Sequence, residues 1–142
     1  MFLSDDFVVF SALKQAHGRT GRMLKNAGLP FEEEEFDERE LPVTMLVLHY
    51  TGMTDAASAI ARLSDSEAKV SAHYLVAEDG QVLRMVDEDK RAWHAGRSHW
   101  RGVRDVNSAS IGIEIVNPGH EYGYRPFPEE QMDALIPLVA GI

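Results

Sequence analysis

The chain has no cysteine. Disulfides, iron–sulfur clusters, thiolate zinc sites and a cysteine nucleophile are therefore excluded, and any metal falls to His, Asp or Glu, while the redox compartment stays undecided. Positive charge is scarce as well. Lys and Arg number 14 against 23 Asp and Glu, and the formal net charge of −9 argues against nucleic acid as a partner. No apolar run approaches the roughly 18–20 residues of a membrane helix, so no span is expected. The opening residues, Met1-Phe2-Leu3-Ser4-Asp5-Asp6, carry acids where a secretory signal carries Lys or Arg, and no long apolar stretch follows. A cytoplasmic location is the expectation, or a periplasmic one if that N-terminus is not native. What is present, 142 residues that are 44% hydrophobic and 26% charged, fits one ordinary globular domain.

Acidity is concentrated. Residues 32–40 hold seven acids and Arg39, which is −6 of the −9. Such a run reads as a solvated linker or, more sharply, as a docking site for a basic partner. Ahead of it, residues 20–27 read as a short helix stopped by Gly28 and Pro30. A boundary is therefore placed near residue 40, with an N-terminal extension and acidic linker over 1–40 and a folded domain over 41–142. From there strands and helices alternate. Residues 43–50 form an apolar, β-branched strand, and 54–63 a helix behind a Thr or Asp cap. Residues 73–77 and 81–86 flank Glu78-Asp79-Gly80 as a hairpin. Residues 111–116 form another strand, and 127–139 an amphipathic helix opening on Pro128-Glu129-Glu130. The sum is an α/β or α+β layered domain, a mixed sheet flanked by helices.

In residues 110–116 the isoleucines 111, 113 and 115 share one face, and Gly112, Glu114 and Val116 share the other. A mid-strand carboxylate among β-branched neighbours is costly to bury alone. Glu114 should therefore meet a cation, a metal-bound water or a cleft, unless the strand is half-solvated and the carboxylate simply exposed. His49 ends the apolar run Met45-Leu46-Val47-Leu48 where a strand enters a loop. It is either a hydrogen-bonded structural residue or a metal ligand. Residues 90–104 contain five Lys or Arg, two His, two Trp and no acid, a reversal of sign within an acidic chain. Indoles and guanidinium groups suit a sugar bearing an acidic peptide. The alternative is a solvated loop whose Trp93 and Trp100 plug the core.

Five blocks taken in order resemble the zinc-dependent N-acetylmuramoyl-L-alanine amidases of type 2, the family of AmpD- and AmiD-like enzymes to which the peptidoglycan recognition proteins are related. They are LVLHYTGM (46–53), VSAHYLVAEDG (70–80), AWHAG (92–96), WRG (100–102) and NSASIGIEIVNPG (107–119). The resemblance implies a mixed sheet with a Zn²⁺ cleft on one face, where the amide between N-acetylmuramic acid and L-alanine of peptidoglycan or a muropeptide is hydrolysed. It implies His49 as a zinc ligand, Glu114 as general base, and Trp93, His94, Arg97, Trp100 and Asn107 along the substrate groove. The family's other zinc ligands normally lie beyond the helix that begins near Phe127, so the metal site is expected to be incomplete within these 142 residues. The alternative function is a non-catalytic muropeptide-binding module. Oligomeric state is not implied.

Overall fold

The computed structural model describes residues 36–142 and, before them, the strands β1 (Val8–Phe10) and β2 (Lys25–Asn26). There follow β3 (Phe36–Glu38), β4 (Met45–Tyr50), α1 (Ala56–Leu63), β5 (Tyr74–Val76), β6 (Val82–Arg84), β7 (Lys90–Ala92), α2 (Val106–Ala109), β8 (Ser110–Ile115) and α3 (Glu129–Gly141). Six strands form a mixed sheet in the order β1-β4-β8-β5-β6-β2, and β3 pairs with β7 apart from it. The expected mixed sheet with flanking helices is what is found.

β8 lies at the centre, parallel to both β4 and β5. Such a strand is covered on both faces, which explains its nearly unbroken apolar run. On one face Ile111, Ile113 and Ile115 pack with Leu46, Tyr74, Val76 and Leu135 of α3. Gln131 fastens that helix, its buried amide donating to the carbonyls of Val76 (2.9 Å) and Val116 (3.0 Å). The opposite face is shared. Ala59 and Leu63 of α1 cover Leu75, Leu83 and Val116, while Val106 and Ala109 of α2 with Ala95 cover Met45 and Val47. The side chain of Asp55 caps α1 by accepting from the Ser58 amide at 2.8 Å, as an Asp before an apolar-periodic run should.

The N-terminal expectations change most. Lys25–Asn26 is a strand, not part of a helix, and the rest of residues 20–27 lies outside the described residues. β1 pairs with β4 and β2 with β6, so sheet pairing runs across the boundary placed near residue 40. The acidic run ends in β3, whose register against β7 sets Asp37 opposite Arg91 and Glu38 opposite Lys90. Arg91 pairs with Asp37 at 2.6 Å and Lys90 with Glu38 at 2.8 Å. For residues 36–38 the solvated-linker reading is thus corrected. Opposite charges 52 and 54 residues apart in the chain meet across a ladder, which no local pattern reveals.

Candidate active site

β4 and β8 run parallel with His49 in register with Glu114. Paired residues of neighbouring strands share a face, so both side chains lie on the side opposite the isoleucines, with Leu75 of β5 next in the row. Glu114 borders a cleft of about 200 Å³ lined also by Met53, Arg62, Ser71, Trp93 and His94. Its Oε2 is buried with no hydrogen-bond partner among the described residues. Burial pushes the carboxyl up to about 7 and the His49 imidazole down to about 4. A proton acceptor poised near neutrality thus lies beside a neutral imidazole, which suits general-base chemistry on a bound water.

His94 lies over β8. Its Nδ1 is 3.0 Å from His49 Nε2 and its Nε2 is 3.2 Å from Ser110 Oγ. Gly112 makes room for it, since a Cβ there would sit 2.2 Å from His94 Cγ and 2.4 Å from Cδ2. Gly112→Ala should therefore displace the ring and destabilise the fold by about 1–3 kcal/mol. Urea unfolding checks this, and unchanged stability would mean that His94 can move aside freely.

His73, just before β5, is fully buried. Its Nδ1 accepts the Gly112 amide (2.9 Å), so the proton of the neutral ring lies on Nε2, which faces the Lys90 carbonyl at 3.1 Å. Burial, aided by the charge of Arg39 and opposed by the bond to Lys90, pushes this histidine down to about 4 from its ordinary 6.5. Between those values the unfolded chain binds a proton that the folded chain refuses, so stability falls as pH drops from 6.5 towards 4. This ring should account for about 3 kcal/mol of that loss. The stability advantage of wild type over His73→Gln, measured by urea unfolding, is expected to shrink by that amount between neutral and acid pH. A difference that stays constant with pH would contradict it.

Residues 39–142 match the model of the N-acetylmuramoyl-L-alanine amidase family. The chain belongs to that family. Over 112 residues this amidase-family chain is 39% identical to the N-acetylmuramoyl-L-alanine amidase AmiD of Escherichia coli, covering 70% of the chain and 40% of the relative. Over 66 residues it is 41% identical to the 1,6-anhydro-N-acetylmuramyl-L-alanine amidase AmpD of the same organism, covering 46% of the chain and 36% of the relative. Among solved structures, E. coli AmiD in complex with anhydro-N-acetylmuramic acid-L-Ala-D-gamma-Glu-L-Lys superposes with a TM-score of 0.59 at 33% identity, covering 92% of this chain and 50% of that one. The chain thus spans about 40% of the length of the curated relatives it matches.

Within this amidase fold the site residues read from the sequence divide. His49, Glu114 and His94 come together, and Trp93 lines the cleft with its Nε1 donating to Asp37 at 2.8 Å. Arg97 is exposed. Trp100 is half-buried against the cluster of Met45, Val47 and Val106, closer to the core-plug reading than to the groove. Asn107 is buried, and its Oδ1 accepts the amides of His94 (3.2 Å) and Ala95 (2.8 Å). It shapes the loop that carries His94 instead of presenting itself to a ligand. In the basic segment 90–104, whose guanidinium groups suit an acidic peptide, Lys90 and Arg91 already hold Glu38 and Asp37. Three participants went unread: Ser110, His73 as a buried partner of Gly112, and Arg39, which donates to several of the surrounding carbonyls. The one sequence signal for Arg39 is its solitary positive charge in an acidic run.

The family is generally zinc-dependent. An imidazole with a hydrogen-bonded second nitrogen and a buried orphan carboxylate oxygen in the same register suit a metal next to His49. Among the described residues no three His, Asp or Glu side chains converge on one point. The three-donor set that a zinc site needs is thus not assembled among the described residues.

Proposed function

We propose that this chain hydrolyses the amide between the lactyl group of N-acetylmuramic acid and L-alanine in peptidoglycan or a muropeptide. The pairing of His49 with Glu114 across β4 and β8, Glu114 lining the cleft, carries the reading. Support for the substrate class comes from AmiD, whose complex holds an anhydro-muropeptide. In this reading Glu114 as carboxylate takes a proton from the water that adds to the amide carbonyl. As the C–N bond breaks, that proton passes to the departing nitrogen, leaving a lactyl carboxylate and a free peptide amine. Trp93 offers an apolar ring face and Arg62 a cation for the peptide carboxylates along the same cleft. His49 would be a zinc ligand, and zinc bound there with further donors would polarise the carbonyl and acidify the water.

A second reading, a groove that binds muropeptide without cutting it, is favoured by the incomplete donor set among the described residues. One experiment separates the two. The chain is incubated with an anhydro-N-acetylmuramyl tripeptide, with added zinc or with chelator, and the products are weighed by mass spectrometry. Free tripeptide formed with zinc and lost with chelator is the expected result. Binding without cleavage, indifferent to chelator, would favour the module, and neither binding nor cleavage would sink both readings.

A further inference from the structure

The hydrogen bonds around His49 determine where its proton lies. They begin at the Val106 carbonyl in the single turn of α2, a group that can only accept. Ser110 Oγ is 2.5 Å from it, so the serine hydroxyl proton points there. The same oxygen is 3.2 Å from His94 Nε2 and has only lone pairs left to offer, so Nε2 of His94 is the protonated nitrogen. In the neutral ring Nδ1 of His94 is then an acceptor, and what faces it at 3.0 Å is His49 Nε2. The two rings meet edge to face, with centroids 5.1 Å apart. The reverse arrangement, with His49 protonated on Nδ1, would oppose two lone pairs at hydrogen-bond distance in a part-buried site.

We propose that Ser110 and His94 are positioning residues that hold His49 in its Nε2–H tautomer, placing the His49 lone pair on Nδ1. The relay is Val106 C=O, Ser110 O–H, His94 Nε2–H and His49 Nε2–H, every proton pointing towards the carbonyl at its end. Each member is held by the fold. Ser110 opens β8 and lies four residues after Val106, so the turn of α2 sets their spacing. Asn107 grips the His94 amide, and the missing side chain at Gly112 leaves the ring its space. An imidazole that can act through only one nitrogen presents one geometry to its target. Loss of such an outer partner typically lowers metal affinity or activity by about 10–100-fold. The proton assignment stands without the amidase reading, whereas its effect on turnover rests on that reading.

The test uses the chain labelled with 15N-histidine and long-range 1H–15N correlation spectra at neutral pH, where each tautomer has a distinct pattern. Wild type should show both His49 and His94 neutral with the proton on Nε2. In Ser110→Ala, His94 loses its acceptor, so its pattern should move towards the Nδ1–H form and the His49 pattern should change with it. Ser110→Thr, which keeps the hydroxyl, should restore the wild-type pattern. A wild-type spectrum with the His49 proton on Nδ1 would overturn the proposal without any variant. A His49 pattern unaltered by Ser110→Ala would overturn the relay. Muropeptide turnover gives the separate arm, with kcat for Ser110→Ala expected to fall about 10–100-fold and KM to change little. The expected spectra without turnover in any of these proteins would support the tautomer assignment and sink the amidase reading instead.

Discussion

Glu114→Gln should lower kcat for the muropeptide about 10²–10⁴-fold, the range in which a positioned general base contributes. Glutamine keeps the shape of the side chain and loses its ability to take a proton. The groove walls, Trp93 and Arg62 among them, are untouched, so KM should stay within a few-fold. Stability is expected to move the other way. A buried carboxylate oxygen with no partner among the described residues is a cost to the fold, and the raised proton affinity of Glu114 expresses that cost. The variant should therefore be at least as stable as wild type in urea. Activity lost from a protein no less stable would mark Glu114 as catalytic. Turnover within about three-fold of wild type would remove it from that role.

Arg39→Met should cost roughly 1.5–3 kcal/mol of stability, the range for losing hydrogen bonds from a charged, here half-buried, donor. Its guanidinium donates to the carbonyls of Glu88 (3.1 Å), Asn107 (3.3 Å), Ser108 (2.5 Å), Ser110 (3.1 Å) and Lys90 (2.5 Å). These carbonyls belong to β7, the loop before it, α2 and the first residue of β8. Methionine fills much of the volume and satisfies none of them, and a desolvated carbonyl without a donor is expensive. Desolvation lowers the arginine's own proton affinity, but nearby Asp89, Glu88 and Asp105 oppose that, so it remains a charged donor at neutral pH. The measurement is the midpoint of urea unfolding at constant slope. A loss under about 1 kcal/mol would mean that water replaces the guanidinium readily.

Much of this molecule was legible along the chain, because local periodicity reports which way a side chain faces. The alternation in β8 set Glu114 against the isoleucines, and the structure places those isoleucines on α3's side of the sheet. The hairpin of β5 and β6 and the capped helix α1 were read from turn and cap residues, with ends one or two positions off. β7 and α2 escaped, at three and four residues, since neither is long enough to show a period. For Asp37, Glu38 and Arg39 the linker reading gave way because these residues take partners from segments far along the chain, and charge alone says nothing of where a segment docks.

The sequence by itself settled the chemistry available: no thiol, one histidine at the end of an apolar run, and one carboxylate on the odd face of an isoleucine strand. It also placed the chain among the amidases through its motifs. Only the tertiary structure decided that His49 stands opposite Glu114, that His94 turns inward over Gly112, and that Arg39 folds back onto α2. The physical reason is that facing is a property of one strand, whereas register between parallel strands is set by a long crossover and by packing on both faces. Hydrogen-bond direction comes later still, since a histidine's proton follows from groups that meet only when the sheet has closed around them.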